Sequence, residues 1–245
     1  LRALKDSKDI AFFSASQTII YSLQIIPLSF LIVIFPTLCR LSTQTDKSQL
    51  NAGYKKAFKL LYVISLPLSV TVIFFSDEIV QLIFGSNFFA STNALKIMGI
   101  SIVFLFLNSL NMFSLIAINK QRLITVSTAS AFLLNLILDL LLIPRYGYIG
   151  ASIATAVGCG ILFSLSFCFV WKELRQLNLI NMVIKPMYGI IAMIVFITYF
   201  NDVSFFIISP ASIVVYLLSL IVSGVFLSED IKLIKSALSF NVVKN

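Results

Sequence analysis

The sequence contains no histidine. That absence removes imidazole as general base, as metal ligand and as proton relay. Acidic residues are scarce as well, ten Asp and Glu against eighteen Lys and Arg, and charged residues make up only 11% of the chain. A soluble domain carries about 25% charged residues, so an ordinary solvated surface is excluded. There are three cysteines, Cys39, Cys159 and Cys168. Cys159 and Cys168 fall on one apolar run, about 13 Å apart by helical rise and too far to bridge. No disulfide framework follows. A phosphate-binding glycine loop, a zinc-ligand pattern, a nucleophile triad and a GxSxG elbow are also missing. The expectation is therefore a protein that is not an enzyme and needs no metal or cofactor. The chain opens Leu1-Arg2-Ala3 with no Met and no signal-peptide pattern, which reads as a piece of something longer.

What is present is hydrocarbon. Hydrophobic residues make up 59% of the chain, and mean hydropathy is +1.02. The apolar runs are continuous and do not alternate with polar residues, which excludes barrel strands and predicts an all-α, polytopic membrane protein. Seven runs reach the roughly 17–25 residues that a span needs. They cover residues 10–38, 58–75, 95–118, 123–143, 149–171, 182–200 and 205–227. Pro27 is expected to kink the first run and Pro36 to end it, and Pro67 to kink the second. Both kinks are candidate hinges or static bends. From Asp46 the spacing of Leu50, Tyr54 and Phe58 predicts an interfacial helix feeding the second run. Ser76-Asp77-Glu78 places carboxylates in the first turn of a short helix that Gly85 stops. At 135–151, Pro144 is expected to end the fourth run, and the residue before it is pushed out of helix. Gly147 would let the chain turn and Gly150 would let the next helix lie close. In the tail from Ser228, Ile231, Ile234 and Leu238 oppose Lys232 and Lys235, a pattern expected on a membrane surface.

The net charge of +8 sits in the breaks. Lys and Arg number five in the first break, two in the third, three around the fifth and three in the tail, against five on the other side. The positive-inside rule makes the first group cytoplasmic, the C-terminus included, and explains the charge without a nucleic-acid partner.

Polar residues inside the runs are candidates for function. Ser14, Gln17, Tyr21 and Gln24, at steps of three, four and three, share one helical face. They read as a wall facing sugar hydroxyls or as interhelical hydrogen bonds. Asn108 and Asn111, with Ser101, are cavity candidates for which packing is the stronger account. Asn135 and Asp139 lie four apart, and Asp139 is expected to be a structural anchor paired with Arg145 and Asn135. Gly150, Ala154 and Gly158 form a small-residue stripe for helix packing. Arg40, Lys120 and Arg122 at helix ends read as helpers for an anionic group or as topology anchors.

Four stretches carry a family resemblance: Asp9-Ile10-Ala11-Phe12-Phe13-Ser14-Ala15, the segment from Ile34 to Leu41, the segment from Glu78 to Phe88, and Asn135 through Gly150 with Leu142-Ile143-Pro144-Arg145-Tyr146-Gly147 at its centre. In this order the chain resembles the polysaccharide-exporting flippases of the multidrug/oligosaccharidyl-lipid/polysaccharide exporter superfamily, over residues 9–171. The resemblance implies the second lobe of a two-lobed exporter, with a first lobe needed to complete a central cavity. Residues 1–171 would supply its five spans. Residues 172–245 would add two further transmembrane helices and a cytoplasmic tail, which departs from the twelve-helix members. The implied partners are membrane lipids and an undecaprenyl-pyrophosphate-linked oligosaccharide, moved across the bacterial inner membrane for O-antigen or other polysaccharide. A cation-coupled drug exporter would want an acidic cluster in the spans, where only Asp139 stands. A membrane-embedded polymerase would want charged residues grouped in a large loop, and every loop is short.

Overall fold

The structure, a computed structural model, describes residues 7–44, 47–174, 177, 179–200 and 204–224. Among them the chain is helical throughout, apart from short turns. The helices are α1 (Ser7–Ser22), α2 (Ile25–Ser42), α3 (Ser48–Phe74), α4 (Ser76–Phe84), α5 (Ser91–Gly99), α6 (Ser101–Ala117), α7 (Gln121–Tyr146), α8 (Tyr148–Leu174), α9 (Ile180–Tyr199) and α10 (Phe205–Val222). Six segments are long and apolar enough to cross a membrane, α1 and α2 counting as one from Lys8 to Ser42. The pair α5–α6, bent by 47°, makes a seventh. The expected interfacial tail and the break at Asn201-Asp202 lie outside the described residues.

The chain forms two compact units, residues 1–178 and 179–245. In the first, α6 is the central helix and packs against α3, α8 and α2. Leu110, Phe106 and Ile102 of α6 are buried, with Tyr54 and Leu61 of α3 and Val170 of α8. By contrast α7 leans chiefly on α8, with a minor contact to α6, and leaves Phe132, Leu133, Ile137 and Leu141 exposed, a surface suited to lipid. In the second unit α9 packs on α10. Tyr216 and Met193 are fully buried there, and a Cβ on Gly189 would come within 2.7 Å of Ser219 Oγ.

Ends and breaks differ from expectation in instructive ways. Pro36 does not end its helix, which continues to Ser42. Pro144 does not end α7 either, which runs on to Tyr146. Each proline deletes one N–H, but leaving the helix would expose many more backbone groups to hydrocarbon. Gly147, at φ 57°, is the residue that stops α7, and its N–H bonds Ile143 O at 2.9 Å. The helix expected before the second span is continuous with it, with no break between them. Lys55, Lys56 and Lys59 are residues of α3 itself, since Leu50, Tyr54 and Phe58 bury one continuous face. Pro67 lies inside α3 without interrupting it.

The third span is broken after Gly99. Ser69 Oγ donates to Gly99 O at 2.9 Å, drawing that carbonyl toward α3. The α6–α7 turn is closed by Asn119 at φ 58°, with Asn119 N–H to Ile116 O and Lys120 N–H to Leu115 O. This pairing is a Schellman motif, with asparagine in the left-handed position usually held by glycine. Gly85, at φ 78°, ends α4 as anticipated.

Candidate functional site

The eight polar candidates do not converge. The structure separates them into three groups with three different surroundings.

On α1, Ser16 and Ile20 turn inward: Ser16 Oγ donates to Ser91 O at 2.8 Å, and Ile20 is fully buried. The polar stripe faces the other way. Ser14 is exposed, Gln17 and Gln24 are half-buried, and Tyr21 is 40% exposed. Gln17 and Tyr21 share a side-chain hydrogen bond one turn apart. These groups are thus on the open side of the first unit, where a polar face is unfavourable in lipid and suits water or a ligand.

The second group is interior. Tyr54 O–H donates to Asn111 Oδ1 at 2.7 Å, Asn111 Nδ2 donates to Ser166 Oγ at 2.9 Å, and Ser166 Oγ reaches Asn108 Oδ1 at 2.9 Å. Asn108 Nδ2 contacts Met112 Sδ at 3.6 Å. All four network residues are buried, and they bind α3, α6 and α8 together. Asn108 and Asn111 are clasps within the bundle. Ser101 is buried beside them in sequence and bonds Met98 O locally.

The third group lies in the α7–α8 seam. Asn135 Nδ2 donates to Ala154 O at 2.9 Å, and a Cβ on Gly158 would stand 2.8 Å from that same nitrogen. A Cβ on Gly150 would collide with the Leu142 carbonyl. The Gly150–Ala154–Gly158 stripe therefore does what its spacing suggested. Asp139, one turn above, is half-buried. The expected anchor is not formed: among the described residues no ion pair joins Asp139 to Arg145, and Asn135 gives its amide to α8. Arg145 sits just before the turn at Gly147 and is exposed, so its side chain extends outward.

Charge is sorted to the two ends of the first unit. At one end Ser42 Oγ bonds Ala117 O at 2.7 Å, bringing the ends of α2 and α6 together. Arg40 and Arg122 are exposed there. Lys120 Nζ pairs with Glu173 Oε1 at 3.2 Å, and Lys47 Nζ donates to Glu173 O at 3.4 Å. At the other end Lys96 Nζ pairs with Asp77 Oδ2 at 3.1 Å. Among the described residues no group of three His, Cys, Asp or Glu could hold a metal ion.

The bend expected at Pro27 is present as the turn between α1 and α2. What the sequence missed is the partner of each interior asparagine, because Tyr54 and Ser166 lie 57 and 55 residues from Asn111.

Comparison with known proteins places this geometry. A family model described as "Lipid II flippase MurJ" matches residues 12–234. An uncharacterized membrane protein of Methanocaldococcus jannaschii, MJ1068, is 29% identical over 144 residues, covering 59% of this chain and 28% of that protein. The probable low-salt glycan biosynthesis flippase Agl15 of Haloferax volcanii is 28% identical over 128 residues, covering 52% of this chain and 27% of its own length. A Shigella flexneri protein whose name assigns it provisionally to O-antigen transport is 28% identical over 151 residues, covering 60% of this chain and 35% of its own. The chain thus spans about a quarter to a third of the length of these relatives. Among solved structures, a lipid II flippase MurJ in an inward closed conformation shares the fold, with TM-score 0.65 and 20% identity, over 86% of this chain and 46% of that one.

Proposed function

This chain belongs to the lipid II flippase MurJ family, and from that premise we propose that it forms the second lobe of a two-lobed flippase for lipid-linked oligosaccharides. The observation that carries the reading is the polar stripe Ser14–Gln17–Tyr21 on the open face of α1, with Gln24 in the turn that follows it. A sugar hydroxyl both donates and accepts hydrogen bonds, and serine, tyrosine and glutamine side chains do the same. The stripe carries no charge, which suits a neutral glycan better than a drug cation. A first lobe, upstream in a longer chain, would supply the facing wall. The partial coverage of the solved flippase supports that arrangement.

No covalent step is needed; the lobe has only to bind on one side and release on the other. The exposed Arg40 and Arg122 stand where a diphosphate would enter, while Lys120 is partly neutralised by Glu173. We assign the basic end, with the C-terminus, to the cytoplasm by the positive-inside rule. The finer reading is an undecaprenyl-diphosphate-linked O-antigen or polysaccharide repeat unit in a bacterial inner membrane, supported by the Shigella relative.

The test uses the full-length protein freed of Cys39, Cys159 and Cys168. Gln17→Cys, Tyr21→Cys and Gln24→Cys are expected to react with a small aqueous thiol reagent and to be protected by added lipid-linked oligosaccharide. Ile19→Cys and Ile20→Cys are expected to stay unreactive. Equal reactivity of both sets, or no protection, would sink the reading.

A further inference from the structure

We infer that the end of the first unit where α3 and α7 begin and α8 stops is a docking surface for an anionic phospholipid, whose headgroup phosphate is held between Lys47 and Lys120. The inference does not depend on the flippase reading, since neither the α1 stripe nor Arg40 takes part.

Three elements bring the two lysines together. Lys47 precedes α3, Lys120 precedes α7, and Glu173 lies in the last turn of α8. Lys120 Nζ pairs with Glu173 Oε1 at 3.2 Å, and Lys47 Nζ donates to the main-chain oxygen of the same residue at 3.4 Å. Two ammonium groups from separate helices thus converge on one residue. Lys47 bonds a carbonyl there, so one carboxylate faces two positive charges. The exposed Arg122 and Lys172 add two more at this end, and Glu173 is the single described carboxylate.

Helix dipoles leave that excess in place. Neither α3 nor α7 carries an acidic residue in its first turn. Lys47 and Arg122 therefore stand at the positive ends of their own helices, where a carboxylate or phosphate is the favoured neighbour. Of the four cations only Lys172 lies in the last turn of a helix. Like charges gathered in this way repel one another, and a partner that brings negative charge relieves them.

The place selects a lipid over a dissolved anion. α3, α7 and α8 are each long and apolar enough to cross a membrane, so the lysines at their ends stand at the level of the headgroups. Trp171, 54% exposed and two residues before Glu173, marks the same level, where aromatic rings settle between hydrocarbon and water. By the positive-inside rule this end meets the cytoplasmic leaflet, whose anionic lipids attract basic segments. A phosphodiester spreads one negative charge over two oxygens, one for each ammonium group, and lysine meets phosphate as a point charge. Glu173 is then an internal competitor for Lys120.

The experiment titrates the full-length protein, in neutral detergent, with dioctanoyl phosphatidylglycerol and reads affinity by microscale thermophoresis. Dioctanoyl phosphatidylcholine and inorganic phosphate are titrated beside it. Phosphatidylglycerol is expected to bind about tenfold more tightly than either. One cation near the membrane surface is worth about fivefold in affinity for anionic lipid, so Lys47→Gln and Lys120→Gln are each expected to weaken it by that factor. Glu173→Gln frees Lys120 and is expected to tighten binding by a similar factor. Lys96→Gln, at the opposite end, is expected to change nothing. Should a lysine variant fail to fold, the direction of the Glu173→Gln effect decides. Unchanged affinity in both lysine variants overturns the inference, and so does phosphatidylcholine binding as tightly as phosphatidylglycerol. A loss in Lys96→Gln equal to that in Lys47→Gln reduces the effect to net charge and also overturns it. Inorganic phosphate that binds equally well and displaces the lipid makes this a site for a free anion, and the lipid reading fails.

Discussion

Single side chains in this protein act mostly as clasps between helices. Asn111 holds Tyr54 on one side and Ser166 on the other. Asn111→Leu strands the Tyr54 hydroxyl, while Ser166 keeps Asn108 Oδ1 and Phe163 O as acceptors, and a buried unmet polar group costs about 1–3 kcal/mol. Hydrogen bonds between membrane helices average only about 0.6 kcal/mol, because the unfolded reference also finds partners. The stranded hydroxyl decides here, since Tyr54 is fully enclosed. We expect Asn111→Leu to lower the unfolding midpoint of the full-length protein in detergent clearly more than Tyr54→Phe does. A neutral Asn111→Leu would show that the network is incidental. At the α7–α8 seam the expectation is the opposite. Asp139 and Arg145 are not paired, so a double-mutant cycle with Asp139→Asn and Arg145→Gln should give coupling below about 0.5 kcal/mol. A coupling above about 1 kcal/mol would restore the ion-pair anchor.

Among the elements, the broken third span is where packing outweighs propensity. Gly99 ends α5 against α3, and a Cβ there would stand 2.6 Å from Ile73 Cγ1. Alanine is otherwise the better helix former by about 1 kcal/mol. The clash should reverse that sign. Gly99→Ala is expected to lower thermal stability, and Ile73→Ala in the same chain to recover most of the loss. If Ile73→Ala gives no rescue, the bend is set elsewhere, with the Ser69 hydroxyl the first alternative. Gly53 is the matching control. Its nearest neighbour is the flexible end of Leu41 at 3.5 Å, so Gly53→Ala should be neutral or stabilising.

At the scale of the whole molecule, the two ends of the first unit differ in charge. Arg40, Lys47, Lys120, Arg122 and Lys172 share one end with a single described carboxylate, Glu173. Asp77, Lys96 and Arg145 mark the other. The expected orientation puts Arg122 and Lys172 inside and Asp77 and Arg145 outside. Single cysteines at these four positions, in a background without native cysteine, can be labelled with an impermeant maleimide in intact spheroplasts. Labelling at Lys172→Cys without labelling at Asp77→Cys would invert the topology.

The number and placement of the spans were legible in the residues, because the hydrophobic term is additive along the chain and a run of apolar side chains reports it directly. The same holds for Gly85 and Gly147, whose positive φ needs no distant partner. The small-residue stripe of α8 was legible too, although its partner Asn135 was not. What spacing could not reveal were events with a partner far off in sequence. Tyr54 meets Asn111, and Ser69 reaches Gly99. Proline was misjudged at 36 and 144 for a related reason. Its local penalty is constant, but whether a helix breaks depends on what the released carbonyl finds. Beside Pro27 the chain breaks, while at Pro36 and Pro144 it stays helical. The stripe on α1 was visible as a face from its steps of three and four. Its direction, outward from the lobe, was settled only by the burial of Ser16 and Ile20 against α5 and α8, since a helix face acquires an inside and an outside only when its neighbours are in place.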